Sequence, residues 1–506
     1  MTLAPWNPRR RATLWLDADT GHGVDDTGAP VRTRGTKRPT LADVLALAEA
    51  CRVERVMLTG SRPRAGWLLT KAEGWSHGAH HLDHETPVGR YRHAVAPVTV
   101  EVRRAVEWFG AGAYSPAEAR AAWESLEAIV SAHVPGARLL ASPGATGREL
   151  WLRSMPRGDA PPQPSSEVAE LIRATSGQHR IERFDPPAAG ATMPNLYLLD
   201  GRLMYAACVR QLGSGGEMMT GHVAAFMLDH NRYARARYHV RATIPVWWEQ
   251  VGILPLAGED RETWTYPADP GRTFTTWADA AEVHLALEHG WKLDVLEGIQ
   301  FTEGRPLDTW AARLLRANDT AAQLEDATQA RMVRAGVRWM LLHSIGAWHS
   351  TGRTETTVTS GAMRPPAGEG WGAPELQHGR AVWRRRVPIT GRAELMAHPE
   401  WSAQVWGRAR ARVLWAPTAV RGEAAGALLV DAGTLVSIYG DAVMTTTLPE
   451  WATPAHDDGA PGRLRLKGHH HGPILWPTRS SERDRIMHAA DANGPTCENC
   501  TTNQGA

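Results

Sequence analysis

The stretches Leu196-Tyr-Leu-Leu-Asp200-Gly-Arg-Leu-Met-Tyr205 and Leu435-Val-Ser-Ile-Tyr439-Gly-Asp441-Ala-Val443-Met444 decide how this chain reads. The first is a short apolar run that ends on an Asp and then turns helical. In the second, two β-prone runs flank Gly440-Asp441, a dipeptide suited to a tight hairpin turn. Each stretch delivers a carboxylate to the end of a strand. Two such carboxylates meeting in space hold a divalent cation beside a phosphate, because hard cations take hard oxygen ligands.

The rest of the composition bounds the setting. A chain of 506 residues has room for about two to four domains. Its 43% hydrophobic and 22% charged content is that of a globular protein. A net charge of +2 excludes a polycation, so any nucleic-acid groove must come from locally clustered Arg. Arg is plentiful, since only Lys37, Lys71, Lys292 and Lys467 among the 56 basic residues are Lys. No apolar run approaches the roughly 20 residues of a membrane span. The start, Met1 to Arg11, lacks the apolar core of a signal peptide. Cys51 and Cys208 lie in apolar helical stretches and read as core residues, and the lone Cys497-x-x-Cys500 reads as part of a disordered tail. This cysteine usage fits a reducing cytosol, so a cytoplasmic location and no membrane partner are expected.

Along the chain, residues 13–17 read as a strand ending in Asp17, 41–52 as a helix and 55–59 as a strand, the alternation of a small α/β domain. His77, His80, His81 and His84 fall among Gly and Pro and read as a solvated loop. Ser115-Pro116-Ala-Glu118 is a helix start, and the Pro/Gly/Ser-rich stretch 154–166 is a linker. Residues 238–255 read as an antiparallel pair that includes a buried Trp247-Trp248. Helices are expected at 277–290, 307–350 and 400–415, a strand at 292–301, and a hairpin within 427–447.

Taken in order, these segments resemble the B-family DNA polymerases, most of all the compact protein-primed type of phages and mobile elements. Ser176-Gly-Gln-His-Arg180-Ile-Glu182 is similar to the linker motif of that family. Asp200 to Tyr205 is similar to motif A, whose Asp ligates metal and whose Tyr excludes a 2′-hydroxyl. Gly252-Ile-Leu-Pro255, Tyr266-Pro267, Gly271, Trp277 and Glu282 match the palm stretch that follows. Arg338 to Gly346 resembles motif B, whose cation grips the nucleotide phosphates. Tyr439-Gly-Asp441-Ala-Val443 resembles motif C, and Lys467 is placed like the Lys that touches the primer end.

The resemblance implies a multidomain α+β/α/β fold: a right-hand polymerase with palm, fingers and thumb, preceded by a degenerate RNase H-like exonuclease-type domain. The expected division is 1–150 exonuclease-like, 151–185 linker, 186–306 first palm part, 307–360 fingers helices, 361–450 second palm part with the motif C hairpin, 451–490 thumb-like and 491–506 tail. It implies Mg²⁺ or Mn²⁺ on Asp200 and Asp441, with Arg338 and Lys467 completing the catalytic set. Substrate contacts are expected from Gly201, Arg202, Tyr205, Arg334, Ile345, Gly346 and Tyr439, and DNA contacts from Arg180, Arg408, Arg410 and Arg412. The run Arg384-Arg385-Arg386 adds candidate backbone contacts. Primer-template DNA, deoxynucleoside triphosphates and a terminal or priming protein are the implied partners.

The chain departs from the family pattern at four positions. Val443 stands where motif C carries its second Asp, Leu342 replaces an Asn, Ile345 a Tyr and Arg338 a Lys, a planar fork that keeps the phosphate contact. An Asp restored at 443 is expected to raise primer extension. Near the start, Asp17-Ala-Asp19 only loosely resembles an exonuclease motif, and Asp25 and Asp26 read as loop acids, so no exonuclease activity is expected. Two functions follow. One is a divergent template-directed polymerase using two-metal chemistry. The other is a catalytically impaired, polymerase-like replication factor of a mobile element that binds DNA or a primer protein.

Overall fold

The structure, a computed structural model, describes residues 11–34, 38–61, 65–78, 88–155, 160–177, 179–259, 263–350, 352–359, 366–388 and 390–493. His80, His81, His84, Cys497 and Cys500 lie outside these residues. The chain divides into two compact units, one of residues 1–160 with 312–397, the other of 161–311 with 398–506.

The first unit is built on a seven-stranded mixed sheet. Thr13–Asp17 and Arg55–Thr59 form where the apolar runs place them and pair in parallel, and Thr99–Arg104 extends the parallel set. The helix Leu41–Ala50 makes the crossover between the first two strands. Thr40 and Asp43 close its start as a reciprocal capping box, which satisfies two of the orphan N–H groups there. The helix Pro116–His133 begins on the Ser115 cap with Pro at its first turn, as its sequence requires. The long helix Ala327–His349 lies against Pro143–Ser154. Gly147 permits that approach, because a Cβ there would stand 1.9 Å from Ser344 Oγ. A separate three-stranded sheet has Arg380–Pro388 at its centre.

The second unit carries two larger antiparallel sheets and two short two-stranded ones. The five-stranded one runs Leu464–Leu475, Thr192–Gly201, Ala442–Thr445, Leu435–Tyr439, Ile181–Arg183. Leu198, Leu199, Val443 and Met444 are all buried, so the strand reads as continuously apolar rather than alternating. One face packs Leu196, Leu198, Ala442 and Met444 against Ile486 and Ala490 of the helix Ser480–Asn493. The four-stranded sheet has Lys292–Glu303 and Ala236–Thr243 at its centre. The helix Pro399–Leu414 runs through this unit and is buried on nearly every side.

One local expectation is corrected. Trp248 is buried, but Trp247 is 64% exposed and neither lies in a strand. The strand Ala236–Thr243 stops before Pro245, which has no N–H for a ladder, and the chain turns as Trp248 N–H bonds Pro245 O.

Asp279 ends its strand by capping the helix Ala280–Glu288, its carboxylate accepting from the Ala281 N–H. Burial pushes its pKa up from 3.8 to about 6, against the pull of Arg408. The folded state therefore binds more protons than the unfolded chain between those values, and stability falls as pH rises through that window. Asn caps a helix equally well and carries no charge. Asp279→Asn is expected to lose this pH dependence between about 4 and 6 and to gain up to about 3 kcal/mol over wild type at neutral pH, measured by urea denaturation across pH.

Candidate active site

The site is assembled by the strand Thr192–Gly201. On one side it pairs with Ala442–Thr445, setting Asp200 opposite Ala442; on the other it pairs with Leu464–Leu475, setting Asp200 opposite Arg465. Gly440-Asp441 is the two-residue turn its sequence indicates, with Gly440 at φ +65° and Tyr439 paired to Ala442. The Gly201 N–H donates to the Asp441 carbonyl at 2.9 Å. A Cβ on Gly201 would stand 3.3 Å from the Asp441 Cβ and 2.6 Å from Met204, so the close approach needs glycine. The end of the Asp200 strand and the turn that bears Asp441, 241 positions from Asp200 in sequence, are thus joined through the backbone at one end of one sheet.

Lys467 reaches Asp200 through a β-bulge. The register runs Leu466 to Leu199 and then Gly468 to Leu198, leaving Lys467 as the extra residue. Its ammonium lies 3.8 Å from Asp200 and 3.4 Å from Asp491 of the terminal helix. That helix passes close: a Cβ on Gly468 would stand 2.2 Å from the Ala490 carbonyl, and Arg483 lies over the Tyr439 ring at 4.4 Å. The Tyr205 hydroxyl stands about 4.0 Å from where a Cβ of residue 440 would be. Among the described residues no group of three or more His, Cys, Asp and Glu side chains is placed to hold a metal ion. The carboxylates of Asp200 and Asp441 are hard-oxygen donors, the chemistry that suits Mg²⁺ or Mn²⁺.

Val443 lies on the other face of the sheet from Asp200. It pairs with Leu199 and is fully buried, whereas Asp200 shares its face of the sheet with Ala442. Neighbouring residues of a strand point to opposite faces, so position 443 faces away from Asp200. Restoring Asp there supplies no ligand on that face.

Other expected contacts are taken up within the fold. Arg180 is fully buried, paired with Glu182, bonded to the Gly252 carbonyl and stacked over Tyr266 at 4.1 Å. Arg410 is fork-bonded to Glu282 at 2.7 and 3.0 Å and donates to the Gly177 carbonyl. Neither guanidinium faces solvent, so neither contacts DNA. Their network explains the 176–182 and 252–282 matches: Arg180 O accepts from Gly440 N–H, and Ile181–Arg183 pairs with Leu435–Tyr439, so these residues brace the hairpin. Arg408 donates to the carbonyls of Cys208, Arg210 and Gln211, and Arg412 is half-buried. Arg202 is held by Asp457 at 2.6 Å.

In the first unit, Ile345 is buried in its helix packing and cannot lie under a base. Arg331 and Arg334 are exposed, Arg338 is half-buried and Gly346 is exposed. Arg384 and Arg385 pair with Glu375 and Glu355. At the strand end beside Gly60, Asp17 accepts from Asp19 N–H and from the Thr20 N–H and hydroxyl, while Asp19 accepts from Ser61 N–H and pairs with Arg38. The Ser61 bond and Arg38 hold the Asp19 carboxyl below its usual range, against desolvation. The sequence alone gave no sign of Asp491 or of the bulge at Lys467.

No family model and no curated protein matches this chain. Solved structures do match. Phi29 DNA polymerase in an orthorhombic crystal form aligns with a TM-score of 0.58 at 10% identity, over 91% of this chain and 85% of that one. Two complexes of the same polymerase align with a TM-score of 0.57. One holds primer-template DNA, and the other, a ternary complex with incoming nucleotide substrates, covers 92% of this chain. This chain has the fold of phi29 DNA polymerase. At this level the B-family resemblance read from the segments is correct.

Two outcomes follow from the geometry. Val443→Asp is expected to leave divalent-metal affinity unchanged and to cost about 3 kcal/mol or more for an unpaired buried carboxylate, read by calorimetric metal titration and chemical denaturation. Arg410→Met leaves Glu282 buried without its partner and is expected to cost about 3–5 kcal/mol. A DNA contact would behave otherwise: stability would hold while the salt dependence of DNA binding fell.

Proposed function

We propose that this protein is a divergent template-directed DNA polymerase that adds deoxynucleotides to a primer by two-metal chemistry. The observation that supports the reading is the backbone junction of the Asp200 strand end with the Asp441 turn, with Lys467 beside Asp200, in a chain with a polymerase fold. In this reading that sheet is the palm, the helices within 307–360 are the fingers and the Asp17 sheet is a degenerate exonuclease-like domain.

Asp200 and Asp441 would hold Mg²⁺ or Mn²⁺, which when bound lowers the pKa of an attacking 3′-hydroxyl and steadies a leaving pyrophosphate. Lys467, aimed at Asp200 by its bulge, meets the primer-terminal phosphate. Tyr205, beside the hairpin turn, closes the sugar pocket against a 2′-hydroxyl, with Gly201 and Tyr439 lining it. Arg338 and Arg334 neutralise the triphosphate, an assignment that rests on the order of the segments along the chain. Primer-template DNA and deoxynucleoside triphosphates are the partners, and a priming protein is the partner implied by the protein-primed resemblance. The engagement of Asp17 by its own turn and of Asp19 by Ser61 and Arg38 supports the absence of exonuclease turnover.

A specific observation favours a second reading, a catalytically impaired factor that binds DNA or a primer protein. Position 443 supplies no carboxylate, and an ammonium already stands 3.8 Å from Asp200. Primer extension separates the two. The enzyme reading expects extension with Mg²⁺ or Mn²⁺ that Asp441→Asn or Asp200→Asn abolishes. Inactivity of the wild type with both metals, alongside retained primer-template binding, would establish the second reading and discard the first.

A further inference from the structure

The second unit contains a cavity of about 730 Å³ whose walls do not include Asp200, Tyr205 or Asp441. Arg235, Arg408 and Arg412 line it. Among the described residues none of these three forms an ion pair. Arg408 donates only to backbone carbonyls, and Arg235 to the carbonyls of Gln211 and Tyr233 and the Gln211 side chain. The Nε of Arg412 is buried and makes no hydrogen bond. Of the acids in the same walls, Glu288 pairs with Arg232 and Glu423 with His456, while Asp279 caps its helix and offsets part of the charge of Arg408 alone among the three. Three guanidiniums around one hollow repel one another, and an anion between them removes that cost. Planar guanidinium forks match phosphate oxygens in particular. The walls also present Trp415, 37% exposed, and Tyr233, 76% exposed. An aromatic face beside a cluster of guanidiniums is the pairing that holds a base and its phosphate together.

We propose that this cavity binds a nucleoside phosphate, with the phosphate on Arg235, Arg408 and Arg412 and the base against Trp415. The ligand is either a free nucleotide or the 5′-phosphorylated end of a single strand, which present the same chemistry. The proposal does not depend on the polymerase reading. Its test runs in EDTA, where no divalent ion bound to the acid pair recruits nucleotide.

Titration calorimetry with dAMP is expected to show binding that deoxyadenosine does not. Arg412→Gln is expected to weaken dAMP by about tenfold or more, the loss of a charge-assisted contact. Trp415→Leu is expected to weaken dAMP while leaving inorganic phosphate binding as in wild type. Equal binding of dAMP and deoxyadenosine overturns the proposal, as does a dAMP affinity unchanged in both Arg412→Gln and Arg235→Gln. Failure of the wild type to bind either dAMP or a short 5′-phosphorylated oligodeoxynucleotide overturns it without recourse to any variant. A phosphorylated strand that displaces dAMP, where its 5′-hydroxyl counterpart does not, supports the strand-end source; binding confined to dAMP supports the free nucleotide.

Discussion

The site depends on the register of one strand. Thr192–Gly201 is paired on both sides by segments that lie more than 200 residues downstream. A slip of one residue in either pairing would turn Asp200 to the opposite face of the sheet and send Leu199 to the site. The burial of Leu196, Leu198 and Leu199 resists such a slip, because both faces of the strand are covered by apolar side chains. Gly201 adds a local constraint: without a Cβ it lets the hairpin turn come within hydrogen-bonding distance of the strand end. The position of Asp441 is therefore a consequence of core packing as much as of the turn that bears it.

A buried charge network holds the outer edge of the same sheet. Arg180 and Arg410 reach from different segments to Glu182, Glu282 and the carbonyls of Gly252 and Gly177. Two buried guanidiniums are costly unless each is paired and its remaining N–H groups are bonded. Meeting that condition fixes how 176–182, 252–282 and the helix Pro399–Leu414 come together. Gly252 belongs to the same requirement, since a Cβ there would press within 2.3 Å of the Pro267 carbonyl. These are the residues that look family-like in sequence, and their role in this chain is to brace the hairpin.

Much of this was legible in the sequence. Short apolar runs ending on Asp17 and Asp200 formed strands, the Gly440-Asp441 turn formed as its composition requires, and Ser115 starts its helix by ordinary capping. The order of the segments was enough to reach the polymerase fold. The Arg residues were misread because composition does not reveal burial. Arg408, Arg410 and Arg412 lie two apart and so fan around their helix, yet carbonyls and carboxylates from remote segments meet the first two inside the fold. Ile345 and Val443 were misread for a related reason: a motif aligned by position carries no information on which face a residue takes until register is known. Trp247 left the core because Pro245 ended a strand that its apolar neighbours favoured.

The charge balance around Asp200 bears on what the site does. On its face of the sheet the cross-strand neighbour is Arg465 and the bulged residue is Lys467, with Asp491 beyond it. A divalent ion entering here must compete with an ammonium that already neutralises part of the Asp200 charge, and like charges at such short range repel strongly. In the proposed polymerase reading a primer-terminal phosphate would change that balance, because Lys467 would then have an anion to turn to and Asp200 would be released to a cation. Metal and primer would in this way bind cooperatively, each relieving the cost of the other. A site with a full set of carboxylates has less need of that coupling. In the proposed polymerase reading, the bulge that sets Lys467 against Asp200 would therefore tie cation binding to the presence of a primer end.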